Sequence, residues 1–253
     1  MTASELFAIL ARSTWRTIAR THRNRVAFGE DAITSYNLDA LSSPGVGVVV
    51  EDTRVNEATK GCDFELWVGS DTLSWSRYAM QAKKISVASA SYLKLNHKVG
   101  KRYQIDVLAS YASANRATPL YCFYNHSSKA HAWNCNLQPP EVEQLGCSVT
   151  PLYVVRTALK TRGGRTFTWI HQRPETLPWR CLVHCPAFIH PMPRAAHPGW
   201  PLRDQYLHDR LPQSLRRLQE SRDAQAIVDA PDLFSRNVDL RPGFIGVIEL
   251  ALP

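Results

Sequence analysis

Apolar positions near the start of the chain follow a helical rhythm. Thr2 and Glu5 have the spacing of a capping box, and Leu6, Ile9, Leu10 and Ile18 then trace one rough apolar face, which predicts a helix to about residue 21. Ile33, Tyr36 and Ala40 share a face over Glu30 to Leu41, and Ser43-Pro44-Gly45 ends that second helix. The rhythm then changes. Val46-Gly47-Val48-Val49-Val50 is a short β-branched run suited to a buried strand, and residues 63–68 and 77–83 alternate with period two. Gly69-Ser70-Asp71 between them has turn chemistry, so the two runs read as a β-hairpin centred near residue 73. Ile105, Leu108, Ala109 and Ala112 predict a helix over about 102–116. Pro119 then opens the strand-like run Leu120-Tyr121-Cys122-Phe123-Tyr124.

The order α, β, β, β, α, β over roughly residues 25–125 predicts an α/β (α+β) fold with a mixed central sheet. Beyond residue 125 the signal is weaker. Val149 to Val155 and Thr166 to Ile170 read as strands, Gly163-Gly164 between Arg162 and Arg165 as a hairpin turn, and 211–229 as a basic helix. Residues 174–201 hold seven prolines and read as irregular and extended. The expected division is a core over 1–126 and a basic, proline-rich extension over 127–253, packed on the same domain.

The net charge of +8 is concentrated. Residues 151–222 hold one lysine and eleven arginines against four acids, which matches the whole excess. Lys83, Lys84, Lys94, Lys98, Lys101 and Arg102 form a second basic stretch that contains no acid. Such clustering suits a polyanion such as DNA, though a solvated basic surface would look the same. The six cysteines are scattered, the first 25 residues lack a signal-peptide core, and no run approaches the roughly 20 apolar residues of a membrane helix. These features lead us to expect a cytoplasmic protein with reduced thiols and no membrane partner.

Alternation sends Asp63, Glu65 and Trp67 to one side of the hairpin, and Gln81 and Lys83 share a side. A turn near 73 would set 63 opposite 83 and 65 opposite 81, with paired side chains about 5 Å apart. Two acids, an amide and an ammonium would then meet on one face. Carboxylate and amide oxygens are hard ligands suited to Mg²⁺ or Mn²⁺, and a neighbouring lysine can assist an attacking water or stabilise charge on phosphorus.

Asp63, a turn, and Gln81-Ala82-Lys83 at the end of the next strand resemble the PD-(D/E)xK nuclease superfamily, in the variant with glutamine in the third motif, as in Mrr-like restriction endonucleases. The pattern Gly61-Cys62-Asp63-Phe64-Glu65 … Gln81-Ala82-Lys83 … Pro119-Leu120-Tyr121-Cys122-Phe123-Tyr124-Asn125 is similar to a bacterial family built on the same motif. The resemblance covers about residues 28–126. It implies a restriction-endonuclease-like αβββαβ core and metal-dependent cleavage of DNA phosphodiester bonds, often in defence against foreign DNA. It assigns Asp63 and Gln81 to the metal and Lys83 to the attacking water. The further glutamate that often comes from the first helix could be Glu57 or Glu30. Lys84, Lys94, Lys98, Lys101 and Arg102 would hold phosphates. Many relatives of this fold act as homodimers or with partner proteins.

Two other readings stay open. A nuclease-like fold that has lost catalysis would bind nucleic acid or protein only. Cys181-x-x-His184-Cys185, with His190 and His197 downstream, could bind zinc in an interaction protein, although buried thiols and loop histidines are the ordinary reading.

Overall fold

The computed structural model describes residues 1–52, 55, 60–135, 139–185, 188, 207–222, 232–234 and 240–250. Glu57, His190 and His197 lie outside these, as does most of the proline-rich segment.

The chain opens with α1 (Ala3–Arg23). Thr2 Oγ1 accepts from Glu5 N and Glu5 Oε2 accepts from Thr2 N, so the expected capping box is formed. Helix α2 (Glu30–Leu41) and strand β1 (Gly47–Glu51) also match the apolar pattern. The hairpin is β2 (Lys60–Ser70) and β3 (Ser74–Lys84). Two short strands, β4 (Lys98–Val99) and β5 (Arg102–Tyr103), precede α3 (Gln104–Ala114), which therefore starts two residues later than the pattern suggested. Strand β6 (Thr118–Tyr124) follows, so the order α, β, β, β, α, β is present in the fold.

A 3-10 turn (Val142–Gly146) leads into β7 (Cys147–Pro151). The expected strand over 149–155 stops at Pro151, and residues Leu152–Lys160 form helix α4. Leu152, Val155 and Ala158 recur at helical spacing and are buried. The expected strand at 166–170 is also a helix, α5 (Phe167–His171), because the Thr166 side chain accepts from Trp169 N and caps it. Gly163-Gly164 is accordingly a turn between two helices and not a hairpin. Then come β8 (Leu177–Pro178), the single turn α6 (Cys181–His184), β9 (Leu207–His208), α7 (Gln213–Ser221) and β10 (Arg241–Glu249). Helix α7 realises part of the basic helix expected at 211–229 and is closed by Arg222 in the left-handed conformation.

The main sheet is mixed, in the order β1-β10-β2-β3-β6-β7-β8, with β9 pairing the start of β3. Strand β10 is parallel to β2, and β3 is parallel to β6; the other neighbours are antiparallel. The fold is therefore α+β. Strand β10, which the sequence reading did not anticipate, lies between β1 and β2, so residues 241–249 belong to the sheet of the N-terminal part. Helices cover both faces. Thr34 of α2 bonds Tyr124 of β6 on one side, and Thr14 of α1 bonds Asn37 of α2. On the other side Leu215 and Leu218 of α7 pack with Trp67, Ile245 and Val247. Tyr111 of α3 reaches Glu65 there, and Arg156 of α4 pairs with Asp106 of α3. Among the described residues, no helix is long and apolar enough to cross a membrane.

His171, at the end of α5, is 1% exposed, and Nδ1 lies 3.0 Å from Phe167 O while Nε2 lies 2.8 Å from Ser148 Oγ. Burial pushes its pKa down to about 3. The unfolded chain thus binds a proton near pH 6.5 that the folded chain refuses until about pH 3. Stability contributed by the neutral ring is present above pH 6.5 and is lost as pH falls, at about 1.4 kcal/mol per unit. Urea melts of His171→Gln should show a shallower loss of stability between pH 6.5 and 4 than the wild type; equal slopes would mean that His171 accepts a proton while folded.

Candidate functional site

Four of the residues singled out by the sequence motif meet at one end of the sheet. Glu30 is the first residue of α2, Asp63 lies near the start of β2, and Gln81 and Lys83 lie near the end of β3. Phe64 faces Met80 and Ser70 faces Ser74, so the hairpin is centred at residue 72, one residue earlier than expected. The opposite pairs therefore become 63 with 81 and 65 with 79. The difference of two in pairing keeps side-chain parity, so Asp63, Gln81 and Lys83 still fall on one side.

Asp63 is held from three directions. Oδ2 accepts from Ala82 N at 2.8 Å and from the Gln81 amide nitrogen, and Oδ1 pairs with Lys60 Nζ at 2.9 Å. Lys83 is only 3% exposed, which a solvated strand lysine would not be. Its Nζ pairs with Glu30 Oε1 at 3.0 Å and donates to Ala82 O at 2.6 Å. The second Glu30 oxygen accepts from Lys84 N at 2.7 Å. Burial raises the Glu30 carboxyl pKa, the Lys83 ammonium opposes that shift, and the Asp63 carboxylate adds to it. Of the two glutamates that remained open, Glu30 is thus part of the cluster, and Glu57 lies outside the described residues.

Glu65 is not part of it. It is fully buried further along β2, where Oε1 pairs with Arg77 Nε at 2.9 Å and accepts from Trp67 Nε1 at 2.8 Å, and Oε2 accepts from Tyr111 Oη at 2.6 Å. Arg77 also donates to Asn115 O and Leu233 O and lies 5.0 Å from the Trp67 ring centre. This acid ties α3 and the 233 segment to the hairpin, and its donors leave no room for a ligand.

Tyr121 belongs to the site and was missed as a candidate. It is paired with Gln81 across β3 and β6 and is fully buried, and among the described residues its hydroxyl meets no hydrogen-bond partner. Burial, then the Asp63 charge, raises its pKa. An orphaned buried hydroxyl on the strand next to Gln81 marks a place where a further polar group fits. The sequence signal was present in the strand run 120–124, but its apolar neighbours read as core.

The expected phosphate-binding residues divide. Lys84 is partly buried, and burial lowers its pKa. Lys94, Lys98, Lys101 and Arg102 are exposed in the connection from β3 to α3, where Lys98 Nζ stands 4.6 Å from the Tyr103 ring centre and Arg102 donates to Ser110. A groove of about 680 Å³ shares Lys84 with the site and is lined by His22, Arg23 and Arg25 beside apolar Phe28 and Ile85. Arg23 and Arg25 had not been singled out. In the arginine-rich segment, Arg216 pairs with Asp71 and Arg222 donates to Ser42 O, so these two hold structure together.

The family model described as "Family of unknown function (DUF6615)" matches residues 3–242, from α1 to the start of β10. The chain belongs to the DUF6615 family. No curated protein and no solved structure matches it. The region that the DUF6615 model spans includes Glu30, Asp63, Gln81, Lys83 and Tyr121, together with β1 to β9 of the strands described above.

The two β2 acids should respond differently to substitution. Glu65→Ala strands the Arg77 guanidinium in the core and should cost about 3–5 kcal/mol in urea unfolding. Asp63→Asn should cost less, because Lys60 is about a quarter exposed and can turn its ammonium to water. Equal losses would mean that Asp63 is a framework residue like Glu65.

Proposed function

We propose that this chain is a metal-dependent nuclease that hydrolyses DNA phosphodiester bonds, with a site of the PD-(D/E)xK kind. The observation that carries the reading is the convergence of Glu30, Asp63, Gln81 and Lys83 on one end of a buried hairpin, on an α, β, β, β, α, β succession. Buried lysines and carboxylates are costly to keep, and a group of four where a small apolar set would fill the space calls for a purpose.

The donors fit a Mg²⁺ or Mn²⁺ ion. Asp63 and Glu30 offer carboxylate oxygens, and Gln81 offers an amide oxygen once its amide turns over from its present bond to Asp63. Lysines balance the charge of these acids: Lys60 pairs with Asp63 and Lys83 with Glu30. A bound divalent ion would supply Lewis acidity and charge neutralisation at the phosphate. Asp63 is also held by the backbone, through Ala82 N. Lys83, fixed by Glu30 and Ala82 O, orients its ammonium towards the reacting centre, where it stabilises developing charge or assists the water. Tyr121 contributes a hydroxyl to the same enclosure. The groove with His22, Arg23, Arg25 and Lys84 offers cations to the backbone next to the site.

The test is cleavage of supercoiled plasmid with Mg²⁺ or Mn²⁺. Lys83→Ala and Asp63→Asn should each lower the rate by on the order of 10²-fold or more, while Gln81→Glu, which restores a carboxylate ligand, should retain part of it. If the wild type cleaves no DNA with either ion, alone or with its natural partners, and all three variants bind DNA equally, the fold is a nucleic-acid- or protein-binding module.

Binding has its own signature. DNA affinity should fall steeply between low and moderate salt, as displaced counterions require. Reversing the charge of Lys94, Lys98 and Lys101 should reduce the slope of log affinity against log salt without changing thermal stability. A flat salt response would assign the exposed lysines to a solvated surface.

A further inference from the structure

Three cysteines from two distant stretches of chain meet in the core outside the site described above. Cys135 follows the loop after β6, and Cys181 and Cys185 bracket the single turn of α6. All three are buried, and none is joined in a disulfide. Their sulfurs lie within 4.8 Å of one another, with Cys135 and Cys185 at 3.7 Å. Ligands on a tetrahedral zinc at Zn–S distances of about 2.3 Å stand about 3.8 Å apart. The Cys135–Cys185 separation matches that edge, and Cys181 lies within 4.8 Å of both.

A fourth candidate stands beside the three thiols, outside the 4.8 Å group that they form. His184 lines the same cavity as the three thiols, a space of about 10 Å³ that Trp133 also borders. That is the size of one water or one ion. His184 stands one helical turn from Cys181, and its Nδ1 lies 3.0 Å from Ser4 Oγ. An imidazole held through Nδ1 presents Nε2 in a fixed direction, as metal-bound histidines do. The Ser4 hydroxyl is itself fixed by Arg180 Nε at 2.9 Å. Soft sulfur ligands with one imidazole favour zinc over the hard ions suited to the carboxylate site.

We propose that Cys135, Cys181, Cys185 and His184 form a closed, structural zinc site. The ion clips α6 to the segment that carries Cys135, and Ser4 links the clip to the first turn of α1. The proposal does not depend on the nuclease reading, because it shares no residue with Glu30, Asp63, Gln81 or Lys83.

The full chain, purified and dialysed without added metal, should retain about one zinc per chain, and X-ray absorption at the zinc edge should show three sulfur neighbours and one nitrogen. Stripped of metal by a chelator under reducing conditions, the wild type should take up one equivalent of Co²⁺ with sulfur-to-metal charge-transfer absorption, and Zn²⁺ should displace it. This arm needs no variant and so does not depend on a cysteine mutant folding. Ser4→Ala, which removes only the support of His184, should weaken zinc binding by about 10-fold or more. His184→Ala should change the cobalt spectrum; an unchanged spectrum would remove His184 from the ligand set. Metal-free protein that takes up no Co²⁺, zinc without sulfur neighbours, or a disulfide between Cys135 and Cys185 in protein alkylated at lysis would overturn the site.

Discussion

The antiparallel register of β2 on β3 decides where the other functional groups fall. With Ser70 opposite Ser74, the loop is Asp71-Thr72-Leu73, and Ser74 takes a positive φ of 61° to close it. Gly69 is confined here as well, because a side chain would run into Ser74 O at 2.1 Å. A slip of one residue would turn Asp63, Gln81 and Lys83 to the opposite side of the sheet and drive Phe64, Leu66 and Met80 out of their packing. The buried Glu65–Arg77 pair acts on the same choice. Its partners come from the indole of Trp67, the phenol of Tyr111 and two backbone carbonyls, and no other register brings all of them together. Such a pair adds little net stability over an apolar filling, but a misaligned version would leave two charges unpaired in the core.

Much of this was legible in the chain itself. Period-two alternation over 63–68 and 77–83 separated the two faces of the hairpin, and the capping residues of α1 and the breaker Ser43-Pro44-Gly45 marked helix ends. The turn centre falls at 72 and not 73, because the three-residue loop Asp71-Thr72-Leu73 closes directly on Ser74. Glu65 looked equivalent to Asp63, since alternation reports the face and not the depth along a strand. Only the pairing with Arg77 and Tyr111 separates a framework acid at mid-strand from a site acid at the strand end.

The errors after residue 125 have local causes. Val154-Val155 and Thr166-Phe167-Thr168-Trp169 are β-branched and aromatic, so they read as strands. The Thr166 cap, and burial of Leu152, Val155 and Ala158 along one stripe, override that preference. Strand β10 was overlooked because Gly243 and Gly246 interrupt its apolar run. Gly246 is needed there: an added Cβ would stand 2.7 Å from a Leu66 methyl and 3.0 Å from one of Val49. The glycine that hid the strand from a pattern reading is what allows it between its two neighbours. The Tyr121 hydroxyl could not be read from spacing, and spacing brought out Cys181, His184 and Cys185 but not Cys135, which lies far from them in sequence.

The position of β10 has a consequence for how the molecule is made. β1 and β2 follow each other closely in sequence, yet they are separated in the sheet by a strand that leaves the ribosome almost two hundred residues later. Until residues 241–249 have been synthesised, the edge of β2 that carries Asp63 is unpaired, and the sheet cannot close around the site. Pairings over such distances are slow to form, because a large loop must be closed before any contact rewards it. A nascent chain therefore carries the acid and the lysine without the architecture that aligns them while the residues between β3 and β10 are made. Whatever chemistry the site performs is withheld until residues 241–249 have been translated.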